Sequence, residues 1–529
     1  MPGMRSIFRF PVLLLACAIA PPASAQLLPG EYRSIDGLGN NPIDPAWGSA
    51  DIELLRLTTP DYGDGISTPA GATRPSARDI SNACSAQPGD LTIDVPITDY
   101  VWQWGQFVDH DMDLTGAADP AEPFDIPVTS GDLWFDPGSL GGQFIFLNRS
   151  VYAVPGSGRV RNQVNQITAF IDASNVYGSD ASRQAELRAP QGLLKFSQGN
   201  LLPFNVNGFP NAPDDDDPSF FLAGDVRANE QNALTAMHTL FMREHNQLVF
   251  TMWMLGFGPE LRYQVARAIV GAEMQAITYN EFLPVLLGPE ALDPYTGYDA
   301  SVDPGVSNVF STACYRFGHS MLSPVLLRLR ANDQPIPAGN LALQDAFFAP
   351  QEIVDHGIAP LLRGLARQRP QQVDTMLVDD VRNFLFGPPG AGGFDLASLN
   401  LQRGRDHGLP GYNQVREDLG LPRKLSFAQV SNDPAVQQRL ADIYTCVDEV
   451  DVWVGALAED RYAGGLVGEL THVVLKDQFE RLRDGDRFWY QHALHPLIVD
   501  FVESRTLARI IRTNTSVGSE LQTNVFLGD

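Results

Sequence analysis

Lysine is almost missing from this chain. Of 37 basic residues in 529, only Lys195, Lys424 and Lys476 are lysine, and 63 acidic residues bring the net charge to −26. Such a surplus excludes a partner held by its phosphates, because nucleic-acid binding needs a dense basic surface that displaces counterions. It also speaks against adhesion to anionic membrane. Cysteine is nearly as scarce, at four residues. Cys17 falls in the leader described below; Cys84, Cys314 and Cys446 are an odd number with no zinc-like spacing, so neither a disulfide framework nor a zinc site holds the fold. Glycine and proline, 47 and 39 residues, stay below the level of low-complexity or collagenous chains. No stretch after the leader is apolar enough to span a membrane.

What is present is a normal globular share of apolar residues, 44%, so core burial can hold the fold. The length allows two to four ordinary domains or one large one. Residues 1–25 read as a secretory signal: Arg5 and Arg9 precede an apolar stretch from Val12 to Ala20, and Ala23-Ser24-Ala25 offers a small-residue cleavage site. A membrane anchor would need a longer stretch, and Leu14-Leu15-Ala16-Cys17 leaves a lipid-attachment reading open. Residues 26–90 lack sustained periodicity and predict an irregular arm packed on the body, with 91–529 as the catalytic body. Helical periodicity predicts a helix from Asp94, a candidate N-cap, to about Leu114. Further helices are expected over 229–255, 259–280, 306–321, 352–366, 371–386, 411–419, 426–455 and 465–483, with short β-like runs such as 144–147. The expected fold is mainly α: one large domain with few short strands and long loops.

Five segments carry dense chemistry. In Trp104-Gly105-Gln106-Phe107-Val108-Asp109-His110-Asp111, Gln106 and His110 share a helix face while Asp109 and Asp111 point about 100° to either side of His110. The flanking aromatics make this face too apolar for solvent, so these polar groups must be buried with partners. In Thr168-Ala169-Phe170-Ile171-Asp172-Ala173-Ser174, alternating oxygen-bearing side chains and a carbonyl near Phe170 can converge with Asp111 on one hard cation such as calcium. Gly224-Asp225-Val226-Arg227-Ala228-Asn229-Glu230 places Arg227 and Glu230 on neighbouring sides of one turn. It leads into a helix whose His238 and His245 lack metalloprotease spacing and read as structural. Tyr315-Arg316-Phe317-Gly318-His319 sets a His beside Gly, where a flat cofactor could approach. Residues 399–408 hold Asn400 and Arg403 among more polar groups than a plain loop carries.

Together and in this order, the five segments closely resemble the animal-type haem peroxidases, most nearly peroxidasin-like and bacterial members; the start at Tyr32-Arg33-Ser34-Ile35-Asp36-Gly37 looks like the family's too. The resemblance implies a haem b between a distal and a proximal helix and one calcium ion. It makes His110 the distal His, Gln106 its neighbour and Arg227 the distal Arg, with His319 ligating the haem iron and Asn400 accepting its other ring N–H. Asp109 and Glu230 match the carboxylates that form haem esters in the family. Asp111, Thr168, Phe170, Asp172 and Ser174 match its calcium site, Phe170 through its carbonyl. Arg403 resembles the Arg paired with a haem propionate, and Arg316 is a lesser candidate for that role. The implied activity is reduction of hydrogen peroxide and oxidation of small anionic or phenolic donors through a ferryl intermediate.

Departures bear on the donor. The chloride-oxidising leucocyte member carries, just after the ester Glu, a Met bonded to haem; here that residue is Gln231, so bromide, iodide or thiocyanate should be oxidised more readily than chloride. Two other functions compete: a fatty-acid oxygenase of the same superfamily, and a secreted adhesion or matrix protein that keeps the fold without the activity. The oxygenase branch has a radical-forming Tyr three residues before the proximal His. Arg316 stands there instead, and on an α-helix Tyr315 would point about 100° away. Retention of His110, Arg227 and His319 speaks against the inactive reading.

Overall fold

The computed structural model describes residues 29–153 and 159–528, so the leader expected at 1–25 lies outside the described residues. The helix carrying the first segment, α1 (Tyr100–Met112), is buried on nearly all sides, as a helix with apolar residues all around must be. It begins later than expected. Asp94 pairs with Arg461 (2.6 Å) on the surface rather than capping, and Pro96 keeps the residue before it extended. The longest helix, α2 (Asn232–Met254), starts where Gln231 accepts from the Ala233 backbone N–H at 2.6 Å. It packs on α3 (Pro259–Ile277), which has Pro at its first turn and runs on through a π-turn at Thr278–Phe282.

The expected helix over 306–321 is instead a short helix, Asn308–Thr312, and a 3-10 stretch, Cys314–Met321, separated at Ala313. Gly357, with φ +68°, splits the one expected over 352–366. Only Asp379–Arg382 is helical within 371–386, and 426–455 breaks into Phe427–Val430, Pro434–Ile443 and Val452–Ala458. Several helices lie outside the expected ranges, among them Ala77–Ile80 in the arm, Ala181–Leu187, Pro496–Glu503 and Leu507–Asn514. The one that matters for the site is α4 (Leu396–Asp406), whose N-cap Asp395 accepts from the Ala397 and Ser398 N–H groups. The stretch over 465–483 is α5 (Glu469–Asp484).

Strands are short. β1 (Ile52–Glu53), β4 (Tyr152–Ala153) and β5 (Asn162–Asn165) form an antiparallel sheet in the order β1-β5-β4; β2 (Ile126–Pro127) pairs with β3 (Phe144–Ile145), and β6 (Val325–Leu326) with β7 (Leu341–Ala342). Helix makes up 41% and strand 9%, the mainly α single domain expected. One apolar core runs from Leu54 to Phe526. The arm is tied to it by arginines: Arg33 Nη2 donates to both oxygens of Asp486 (2.9 and 2.7 Å), and buried Arg78 bridges Asp132 and Asp395 (2.7 Å each).

One buried polar group of α2, His245, is held neutral. Tyr177 Oη lies 2.9 Å from His245 Nδ1, and His245 Nε2 lies 2.9 Å from the Gly192 carbonyl, a pattern met by one neutral tautomer. Burial pushes the His245 pKa down to about 4, against ~6.5 in an unfolded chain. Between those values the unfolded state binds more protons, so stability falls as pH is lowered, by about 1.4 kcal/mol per pH unit. Urea unfolding of His245→Gln should therefore show a shallower loss of stability from pH 6.5 to 4 than the unaltered chain; equal slopes would contradict the assignment.

Candidate active site

A cavity of about 460 Å³ opens between α1, the 3-10 stretch and α4, lined among others by Gln106, Asp109, His110, Arg227, Glu230, His319, Asn400 and Arg403. Four of the five segments thus meet at one void, of a size that suits a cofactor. On the α1 side, His110 is buried. Its Nε2 lies 3.8 Å from Glu230 Oε2, and its Nδ1, without a bonded partner, lies 3.7 Å from Asp225 Oδ1. Burial first, then the Arg227 charge, hold its pKa well below the usual imidazole range, so it is a neutral base at neutral pH.

Arg227 is held by Asp225 through Nε (2.9 Å) and Nη2 (2.8 Å), and Nη2 also donates to the Asp113 carbonyl at 2.8 Å. This pairing keeps Arg227 charged and its side chain fixed. Asp225 was not singled out from the sequence; the signal was its place two residues before Arg227. Gln106 Nε2 donates to Glu230 Oε2 at 3.0 Å. Asp109 lies 4.0 Å from Arg227 Nη1. Burial pushes the carboxyl pKa of Asp109 up to about 8 and that of Glu230 to about 7. Gln231 is buried; it caps α2 and donates to Gln103 Oε1 at 2.6 Å and to Gln106 Oε1 at 3.1 Å.

Across the cavity, His319 Nδ1 lies 2.8 Å from Asn400 Nδ2, while Asn400 Oδ1 accepts from Arg316 Nη1 at 3.0 Å. The Asn400 amide thus lies within hydrogen-bond reach of His319 Nδ1, here with its nitrogen towards the ring. Ligation through Nε2 puts the proton on Nδ1 and requires the amide to turn, giving up its Arg316 contact. His319 lines the cavity, and its Nε2 makes no hydrogen bond to a described residue. Arg403 Nη1 is bonded to the Asn148 carbonyl (3.0 Å), Ser150 Oγ (2.7 Å) and Asp406 Oδ2 (3.1 Å), leaving Nε and Nη2 for another anion. Arg316 is turned towards Asn400 and the Ser311 carbonyl (2.9 Å). Tyr315 and Arg316 both line the cavity; with three residues per turn on this 3-10 stretch, consecutive side chains lie about 120° apart, so Tyr315 does not take the direction of Arg316.

The fifth segment lies behind α1. Asp111 Oδ1 accepts from Ser174 Oγ (2.9 Å) and Asn175 N (3.1 Å), and Oδ2 from Ala173 N (3.0 Å). Thr168 Oγ1 and Ser174 N both reach Asp172 Oδ1, at 3.2 and 3.0 Å. Burial, then the Asp172 charge, push the Asp111 pKa up to about 8. The loop thus brings two buried carboxylates, the Thr168 and Ser174 hydroxyls and the Phe170 main chain close together, with Asp172 Oδ2 lacking a hydrogen bond, and these are oxygen donors of the kind a hard cation takes. Arg33 Nε approaches Asp172 Oδ2 at 3.7 Å from outside and lies over the Phe170 ring at 4.6 Å, a contact no local spacing announced.

The family model of animal haem peroxidases matches residues 32–526. The chain belongs to that family. This peroxidase is 35% identical to peroxinectin A of Dictyostelium discoideum, over 94% of its own length and 96% of that protein's. It is 37% identical to Drosophila melanogaster peroxidasin over 87% of its length, but spans only 34% of that longer protein. The solved structure of peroxidase A from Dictyostelium discoideum aligns with TM-score 0.87 at 34% identity, covering 94% of this chain and 99% of that one. A fatty acid alpha-dioxygenase of Arabidopsis thaliana aligns with TM-score 0.79 at 18% identity, a likeness of fold alone.

Membership implies a haem, and the residues fit one: a cavity-lining His319 with an unbonded Nε2, spare nitrogens on Arg403, and the Asp109 and Glu230 carboxyls on the wall. Asn400→Ala should remove the group that orients His319, lowering haem retention about 10- to 100-fold, the usual cost of losing such a partner. Haem transfer to an apoglobin measures this; unchanged retention would remove Asn400 from the cofactor site.

Proposed function

We propose that this peroxidase is secreted, reduces hydrogen peroxide with a haem b held by His319, and oxidises bromide, iodide, thiocyanate or phenols. The observation that carries the reading is the pairing, on one cavity wall, of a neutral His110 with an Arg227 fixed by Asp225, facing His319 across the void. The bound haem would supply electrons for O–O cleavage and recover them from the donor. His110 takes the proton from one peroxide oxygen and returns it to the other, so one group serves as base and then acid. Arg227, already charged and held in place, stabilises the negative charge on the departing oxygen. Asp109 and Glu230 are the groups for ester attachment to haem, Asn400 orients His319, and Arg403 pairs with a propionate. A calcium ion bound by Asp111, Thr168, the Phe170 carbonyl, Asp172 and Ser174 would fix the helix that carries His110. Secretion rests on the N-terminal leader; no helix among the described residues is long and apolar enough to cross a membrane.

Two measurements test the reading. His110→Ala should keep the absorption spectrum of bound haem yet react with peroxide about 10²- to 10⁴-fold more slowly, the usual worth of a positioned acid–base group; an unchanged rate would sink the mechanism. With Gln231 engaged in capping α2, bromide should be oxidised faster than chloride at equal concentration in a standard halogenation assay. Equal rates would refute this donor preference and leave the peroxidase assignment standing.

A further inference from the structure

We propose that Trp102 is a redox-active side chain that gives up one electron during peroxide turnover while its indole proton passes to Asp99. An oxidising equivalent is thereby held on the protein until a donor arrives. The inference rests on the peroxidase reading and adds to it a site for one of the two oxidising equivalents.

Trp102 lies on α1 eight residues before His110, a rise of roughly 12 Å along the helix, and lines the same cavity as His110 and His319. It is 2% exposed, and its Nε1 is buried without a bonded partner, although buried indole N–H groups usually find one. Asp99 opens α1 with helical backbone angles, and Thr98 one residue earlier accepts the Tyr100 N–H through its Oγ1 at 3.3 Å, so the Asp99 side chain is not used in capping. Its Oδ1 accepts from Ser323 Oγ at 3.0 Å, and its Oδ2 is buried and unbonded. Trp102 follows Asp99 by three residues on the same helix, a spacing at which side chains are neighbours, and the indole N–H and the Asp99 Oδ2 both lack another partner. Burial pushes the Asp99 pKa up to about 7. Near neutrality it can therefore take up a proton and give it back.

Trp104, on the same helix and equally buried, provides an internal comparison. Its Nε1 donates to Thr278 Oγ1 at 3.2 Å, an alcohol that cannot accept a proton at neutral pH, and it does not line the cavity. Tyr315 does line it, but the carboxyl whose charge acts most on it is Asp109, assigned above to cofactor attachment. Among these aromatic side chains Trp102 alone combines the cavity with an uncommitted proton acceptor.

The electron count closes with hydrogen peroxide as oxidant. Its reduction to two waters takes up two electrons and two protons. Trp102 supplies one electron and a donor the other. The Nε1–H bond of Trp102 breaks with its proton going to Asp99 Oδ2, which leaves a neutral tryptophanyl radical. A second donor molecule restores the indole by one electron, and Asp99 returns the proton.

The test is electron paramagnetic resonance of the full haem-loaded chain, freeze-quenched after one equivalent of peroxide without donor. The expected result is an organic radical whose hyperfine pattern narrows when tryptophan is indole-deuterated and stays the same when tyrosine is ring-deuterated. The signal should be absent in Trp102→Phe. In Asp99→Asn it should form about a hundredfold more slowly, the low end of what a positioned proton acceptor contributes. Narrowing with tyrosine instead, or a signal that survives Trp102→Phe, overturns the inference. Peroxide consumed with no protein radical also overturns it, while the peroxidase reading stands; no peroxide consumption by the unaltered enzyme refutes that reading itself. Should Trp102→Phe not fold, peptide mass spectrometry of the unaltered enzyme after excess peroxide decides. Oxygen addition concentrated at Trp102 supports the proposal, and equal addition at Trp104 overturns it.

Discussion

Three consecutive polar side chains on one buried helix set the terms for the rest of the molecule. Asp109, His110 and Asp111 follow each other on α1, and each turn of about 100° sends the next into a different environment. Burying such groups without partners is costly, so each direction needs its own supply. Arg227 and Asp225 come from the approach to α2, the alternating oxygens from the loop before Gly178, and the cavity wall from the 3-10 stretch and α4. A chain that must bring these together around one helix cannot be divided into independent domains.

Helix interiors were legible because apolar spacing records which face is buried, and the five dense segments were legible because buried polar clusters are rare. Helix ends were less so: Pro96, Gly357 and Pro434 interrupt periodic stretches that pattern alone runs together. The helix α4 escaped because Asn400, Gln402, Arg403 and Arg405 crowd it, and only Leu396, Ala397, Leu399 and Leu401 remain to mark an apolar side. The Asp395 cap was visible in hindsight as a Ser/Thr/Asp/Asn start signal. Pairings such as Asp225 with His110, or Arg33 with Asp172, join residues with no local spacing between them. The orientation of Asn400 depends on its competition with Arg316, which no motif encodes.

The bias from lysine to arginine acquires a structural sense. Buried guanidinium groups repeatedly bridge two carboxylates from distant segments: Arg78 joins Asp132 and Asp395, Arg416 joins Glu459 and Glu469, and Arg505 joins Glu244 and Glu273. A planar fork of five donors suits that task, whereas a compact ammonium does not. Such buried pairs add little net stability over apolar packing, but losing one partner strands the other charge. Part of the acidic surplus is therefore internal wiring that fixes which segments lie together.

The contact of Arg33 with Asp486 and Asp172 has a consequence for the order of assembly. The two residues are 453 positions apart, and closing so long a loop adds only slowly to the entropy cost as length grows, but the contact cannot exist before residue 486 has been made. The guanidinium that flanks Asp172 and covers the Phe170 ring thus gains its Asp486 anchor only long after the loop it covers has been synthesised.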